Sequence, residues 1–327
     1  MASVEAIRLH YNTVYLVEDA GERVLVDTGP DYEGAWEELQ AAVGSRMPDL
    51  VVATHGHHDH AGMGARWQRA GVPVILGRPD WWYTSGGDEE LAAERALLER
   101  VVRECGAPQR VTDEAMAGLE RRMMSNRLAR GSYPPAGSRP HWPTGLRYER
   151  YQPKMEAANG LIGAGLRLAL CAGHTPGNCV VIHEGEGWLF SGDQLLPDIT
   201  PTPGLQLDPR SPTGERFRSL PAFRDSLRRL RHEPFSRCYP GHGEPFDAVA
   251  QSIESNIVAI DSRTERVFDC LRENGPISLY ALCDRLYPRA LQRRFWQILP
   301  TVLGHLDVLD AEGRALQDGS LWATRGR

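Results

Sequence analysis

The sequence predicts an α/β protein built as a layered αββα sandwich, two sheets with helices outside. Three observations carry this reading. Short apolar runs, such as residues 49–54 and 166–171, alternate with longer segments of helical character. Several of these runs end in loops where one His or Asp is flanked by Gly or Pro, as open α/β sheets place their sites. The 327 residues, 41% hydrophobic and 24% charged, are enough for one large globular unit and a small second one.

Taken in order, residues 4–27 alternate apolar and polar as a meander of strands, turned at Glu18-Asp19-Ala20-Gly21. A helix is expected over about 31–43, a buried strand up to Thr54, a helix over about 61–70 and a short strand over 73–76. Between 80 and 151 the pattern changes to two helices, 88–105 and 112–130, followed by a Pro- and Gly-rich loop over 132–145. Lying between two loops of the site, this insertion is expected to fold over it as a cap. The core resumes near Leu166 and reaches His242, with helices near 214–232 and 247–273. Gly275-Pro276-Ile277-Ser278 breaks the last of these; helices over 278–287 and 290–305 and a small β wing over 306–309 and 315–323 follow. The expected division is a catalytic unit over 1–260, with its insertion at about 80–151, and a winged-helix-like unit over 261–327.

The chemistry-bearing residues are concentrated at strand ends. His55-Gly56-His57-His58-Asp59-His60 follows the 49–54 run, and three His with one Asp cannot all serve one ion comfortably from a single turn. Three later loops each add one metal-competent side chain: Gly173-His174-Thr175-Pro176-Gly177, Ser191-Gly192-Asp193 and Pro240-Gly241-His242-Gly243. One such loop alone would be an ordinary surface turn. Four in this order point to a two-metal centre.

With these loops, roughly residues 4 to 260 resemble the metallo-β-lactamase superfamily, whose HxHxDH, GHTPG, SGD and PGHG signatures they match. Val26-Asp27-Thr28-Gly29 is similar to that family's first motif, in which the Asp supports the ligands from behind. The resemblance implies one metal held by His55, His57 and His174, a second held by Asp59, His60 and His242, and Asp193 bridging the two. It implies a dinuclear hydrolase in which a metal-bridging hydroxide attacks an acyl carbon or phosphorus, with Asp59 also orienting the nucleophile or accepting its proton. Two zinc ions per chain are the default, with iron or manganese as alternatives. Asp27 either fixes only the backbone of its turn or orients a ligating His, the second being favoured. His58 is expected to be structural or solvent-facing.

Departures from the pattern narrow the branch. Antibiotic-destroying zinc lactamases typically carry Arg and Cys where this chain has His60 and Asp193. Diiron flavoproteins carry a Glu in the first motif and an attached flavodoxin domain, and neither is present. The run Asp193-Gln194-Leu195-Leu196 lacks the Tyr common in quorum-quenching lactonases. The glyoxalase II-like branch, acting on a small thioester, ester or lactone, fits best. A phosphodiesterase or RNA endonuclease of the same fold is the alternative, and a DNA-binding regulator keeping structural metal is the third reading.

Charge bears on the substrate. From Arg121 to Tyr148 there are six arginines and no acid, interleaved with aromatic residues. Arg121, Arg122, Tyr133, His141 and Trp142 are the candidate contacts to an anionic substrate, against a solvated helix face whose arginines pair elsewhere. Trp81, Trp82 and Tyr83 default to packing, with pocket lining as the alternative. Residues 261–327 hold ten arginines against nine acids, and the whole chain stands at −6, so nucleic acid is disfavoured and the tail is expected to pack or dimerise. Lys154 is the single lysine, which excludes Schiff-base chemistry at any other position. Six scattered cysteines without a CxxC pair, no apolar run of about 20 residues and no signal-peptide pattern at the start predict a cytoplasmic protein without membrane partners.

Overall fold

Strand alternation near the chain start builds the first sheet. In the computed structural model, which describes residues 1–129, 146–147, 149–201, 204–211 and 213–326 with the side chains of 120–129 excepted, β1 (Ser3–Arg8), β2 (Thr13–Asp19) and β3 (Glu22–Val26) form an antiparallel meander. The β2–β3 turn has positive φ at both central residues, Ala20 (51°) and Gly21 (86°), the turn whose twist matches the flanking strands. Parallel strands β4 (Leu50–Val52), β5 (Val74–Leu76) and β6 (Met155–Glu156) extend this sheet in the order β1-β2-β3-β4-β5-β6. The second sheet runs β11-β10-β9-β8-β7, from β7 (Gly160–Gly163), β8 (Leu166–Leu170), β9 (Cys179–His183), β10 (Trp188–Gly192) and β11 (Arg237–Pro240).

Both faces of each sheet are covered, and the strands show it residue by residue. Tyr15, Val17, Val24, Val26 and Val52 meet Leu166, Leu168, Cys179, Val181 and Phe190 across the sheet–sheet interface. The intervening Val14, Leu16, Leu25 and Val51 turn the other way, onto α1 (Ala35–Val43) and α3 (Gly64–Arg69) through Leu39 and Trp67. Val180, Ile182 and Leu189 likewise pack on α7 (Ser219–Leu230) and α8 (Val249–Asn274). Period-2 side chains buried on both sides give the near-continuous apolar strands seen in the sequence. The expected four layers are present.

The remaining elements are α2 (His58–Ala61), α4 (Trp81–Ser85), α5 (Asp88–Glu104), α6 (Gln109–Ala129), α9 (Leu279–Leu286), α10 (Phe295–Ala311) and a third sheet, β12-β14-β13, from β12 (Ile277–Ser278), β13 (Ala315–Asp318) and β14 (Leu321–Thr324). Some expected bounds shift, for physical reasons. The helix expected from 31 starts at Ala35 because Asp31 is fully buried between Arg66 and Arg147, with Nε contacts of 3.1 and 3.0 Å. The core resumes at Met155 rather than Leu166, with β6 closing the first sheet and β7 opening the second, since two-residue β6 and Gly-flanked β7 carry little periodic signal. Residues 306–309, expected as a wing strand, are helical: α10 is buried on nearly every side, so its apolar run mimics a strand.

Insertion and tail share one core. Val102, Cys105 and Ala115 pack with Leu271, Leu282, Leu299, Val302 and Trp322, and Tyr280 N donates to Cys105 O at 2.8 Å. The expected division at 260/261 falls inside α8. Within this region His305 is buried, its Nδ1 2.8 Å from Thr264 Oγ1, and burial with Arg263 and Arg224 nearby pushes its imidazole down to about 4. A depressed histidine favours the folded chain above its unfolded value of 6.5, and that advantage is lost as pH falls toward about 4. Denaturant unfolding of metal-stripped protein from pH 7 to 4 should therefore show His305→Gln losing less stability than wild type, by on the order of 3 kcal/mol across the window. Parallel curves would remove His305 from the acid limb.

Candidate metal centre

All the loops of interest leave carboxyl ends of strands at one edge of the sandwich. Asp27 directly follows β3 and takes a left-handed conformation (φ 68°) that Asp tolerates better than most residues. There its carboxylate reaches two ways. Oδ1 accepts from Thr54 N and Thr54 Oγ1, both at 2.8 Å, and Oδ2 lies 2.7 Å from His60 Nδ1. That contact assigns the ring proton to Nδ1 and leaves His60 Nε2 aimed inward. Asn12 Nδ2 donates to Asp59 O at 2.6 Å, and Thr28 N to His60 O at 2.7 Å, so the short α2 is held from outside.

Seven side chains converge. Ligand atoms of His55, His57, His174 and Asp193 lie within 4.8 Å of one another, as do those of Asp59, His60 and His242. In the first group His55 Nε2 is 2.9 Å and His174 Nε2 3.1 Å from His57 Nδ1. In the second, His60 Nε2 is 3.3 Å from His242 Nε2, and Asp59 Oδ2 is 3.2 Å from His242 Nε2. Asp193 stands between them: Oδ2 is 3.3 Å from His174 Nε2, while Oδ1 is 3.4 Å from both His60 Nε2 and His242 Nε2. Donor atoms roughly 2.0–2.1 Å from one tetrahedral ion lie about 3.3 Å apart, so these spacings fit the edges of coordination polyhedra. Asp193 Oδ1 is buried without a hydrogen-bond donor among the described residues, as a ligating oxygen would be. The residues present fit two metal ions.

Close approach requires glycine at one point. A Cβ on Gly241 would lie 2.5 Å from His60 Cε1 and 3.2 Å from Asp193 Oδ1, inside the centre itself. In the first group protonation suits metal binding. Burial, then His174, pushes His57 down to about 3, and burial lowers His55 and His174 as well, so these three imidazoles are neutral. Burial opposes charge on Asp193, yet His60 and His174 hold it well below the carboxylate range. Burial likewise opposes a charged His60, but Asp27, Asp59 and Asp193 raise it well above its ordinary value.

All seven expected ligands thus come together, and Asp27 touches His60. His58 opens α2 and is not among the converging atoms. Tyr133, His141 and Trp142 lie outside the described residues, as do the side chains of Arg121 and Arg122 on α6. Arg147, from the same arginine-rich stretch, is paired with Asp31 and Glu149. Of the aromatic cluster, Tyr83 has its ring centroid 5.5 Å from that of His57, with the Trp82 ring tilted against it at 31° and 3.8 Å. Sequence reasoning passed over Asp80, whose carboxylate reaches two of the loops, and Gln206, whose Nε2 donates to His174 O at 2.7 Å. Asp80 offered a signal, an acid just beyond a strand end in Gly77-Arg78-Pro79-Asp80. Gln206 offered none.

Known proteins resemble this chain in sequence, and two solved structures resemble it in fold. The family model described as "Metallo-beta-lactamase superfamily" matches residues 7–242. "Probable metallo-hydrolase YqjP" of Bacillus subtilis is 29% identical over 307 residues, covering 91% of this chain and 88% of the relative. "Beta-lactamase-like protein 2 homolog" of Caenorhabditis elegans is 23% identical over 283 residues, covering 85% and 72%. The crystal structure of a metallo-beta-lactamase family protein from Thermus thermophilus superposes with a TM-score of 0.69 at 24% identity, covering 99% of this chain and 98% of that one. A beta-lactamase domain protein from Burkholderia ambifaria gives 0.67 at 21% identity, covering 99% and 92%. These two structures share the fold.

Replacing Asp193 should cost more metal than replacing a ligand of one group. Elemental analysis of purified variants is expected to find Asp193→Ala lower in total metal than either His174→Ala or His242→Ala. Asp193→Ala with wild-type metal content would remove it from the bridging position.

Proposed function

Because the chain belongs to the metallo-β-lactamase superfamily, we propose that it is a two-metal hydrolase of small thioesters, esters or lactones, in the glyoxalase II-like branch. The observation that carries this reading is Asp193, whose two carboxylate oxygens face two separate sets of ligand atoms. His55, His57 and His174 would hold one ion, Asp59, His60 and His242 the other, and Asp193 both. When bound, the ions act as Lewis acids on the substrate oxygen and bring a shared water's pKa toward about 7.

The protein's own groups do the rest. Asp59 is part-exposed, with its side chain 25% accessible, so it can meet both the centre and an incoming water. Burial opposes its charge, but His60 and His242 keep it ionised, the state that accepts a hydrogen bond from that water and orients it. Asp27 keeps His60 in one tautomer. Tyr83 walls the side of His57. Arg121, Arg122, Tyr133, His141 and Trp142 are proposed to receive an anionic part of the substrate. Zinc is the proposed metal, with iron or manganese as alternatives, and a cytoplasmic location and a homodimer belong to the same reading.

The last helices and the three-stranded sheet are proposed to be a winged-helix-like module used for packing. Its shared core with the insertion supports that use over nucleic-acid binding. A panel of thioesters, lactones and labelled RNA, each with and without EDTA, separates the readings. EDTA-sensitive thioester or lactone turnover without RNA cleavage is expected. RNA cleavage alone would move the assignment to a phosphodiesterase.

A further inference from the structure

Asp80 is fully buried, and its partners among the described residues include no cation. Its Oδ2 accepts from Gly56 N at 2.9 Å and from Thr175 Oγ1 at 2.5 Å, and its Oδ1 accepts from Gly177 N at 2.7 Å. Gly56 lies between His55 and His57, and Thr175 follows His174. One carboxylate therefore ties together the two loops that present the whole imidazole part of the first ligand group. Packing around it leaves no slack. A Cβ on Gly77 would fall 1.9 Å from Gly177 O, and one on Gly177 would fall 2.7 Å from Asp80 N and 2.8 Å from its carboxyl. The segment bearing Asp80 is itself a 3-10 turn, Arg78–Asp80, closed by Asp80 N donating to Gly77 O at 2.8 Å.

Burying a carboxylate without a countercharge is unfavourable, which offsets much of what the three hydrogen bonds it accepts contribute to the fold. A role in folding is thus a poor account of Asp80. Its partners supply a better one. Asp27 braces His60, a ligand of the second group, while Asp80 touches only the loops of the first. We propose that Asp80 is a positioning residue for the first metal ion, clamping the His55–His57 loop to the His174 loop so that their three imidazoles hold one geometry. This inference rests on the two-metal reading above.

Stepwise titration of metal-stripped protein with Co(II), followed by calorimetry and the visible d–d bands, tests it. In Asp80→Asn the amide keeps one acceptor but turns an N–H toward a donor. One of the two binding steps should weaken by about 10–100-fold, with its d–d band altered and the other step within about threefold of wild type. Metal-free Asp80→Asn should still fold, with the wild-type far-UV spectrum and a cooperative melt. Thr175→Val, which removes a single donor, should weaken the same step by a smaller factor and keeps the test available if Asp80→Asn does not fold. Wild-type affinities and spectra in both variants would overturn the clamp, as would equal weakening of both steps with a lower metal-free melting temperature. Wild-type protein taking up fewer than two ions would instead overturn the two-metal reading, and the clamp with it.

Discussion

Imidazole nitrogens and carboxylate oxygens from the ligand loops face one another at 2.9–3.6 Å, and the rest of the molecule is organised around that crowding. Lone pairs and like charges placed so closely repel unless cations or protons lie between them. Floppy loops would relieve the repulsion by moving apart. Here they cannot, because Asp27 binds Thr54 and His60, Asn12 binds Asp59 O, and Gly241 N is fixed to Gly192 O at 2.9 Å. The strain of assembling the centre is met by backbone anchored at each ligand's root.

That anchoring depends on the sandwich. β3 and β4 run parallel in one sheet, and β10 and β11 run parallel in the other, so the loops after them emerge at a common edge. β3, β4 and β10 are buried on both faces, which leaves their ends little freedom to tilt. Two buried carboxylates at that edge then divide the bracing, Asp27 toward His60 and Asp80 toward the loops of His57 and His174. Covering helix α8 continues into the tail, Val308 of α10 packs in the cluster of α7, and the tail shares its core with the insertion. The chain's last third is thereby joined to the segment that opens beside His57.

Legibility in the sequence followed the range of the interactions. His55, His57, Asp59 and His60 share one loop, and His174, Asp193 and His242 sit in short Gly-flanked turns, so local pattern was enough to single out the seven side chains that converge. The two-sheet core was readable because period-2 burial is local as well. Contacts across long separations were not readable. Asp80 meets Gly177 across 97 positions, and its place just beyond a strand end marks it as noteworthy without revealing that partner. The packing of Val102 with Leu299, in a core shared by insertion and tail, was hidden for the same reason. Residues 306–309 misled because a helix buried on nearly every side loses the 3.6-residue stripe that identifies it.

The most direct test of the account is the number of metal ions per chain in protein purified without added metal, measured by elemental analysis against protein concentration. The account requires about two, because Asp193 faces two ligand sets at once. A single ion that stays bound when either set is mutated, or no ion even after reconstitution, would contradict it.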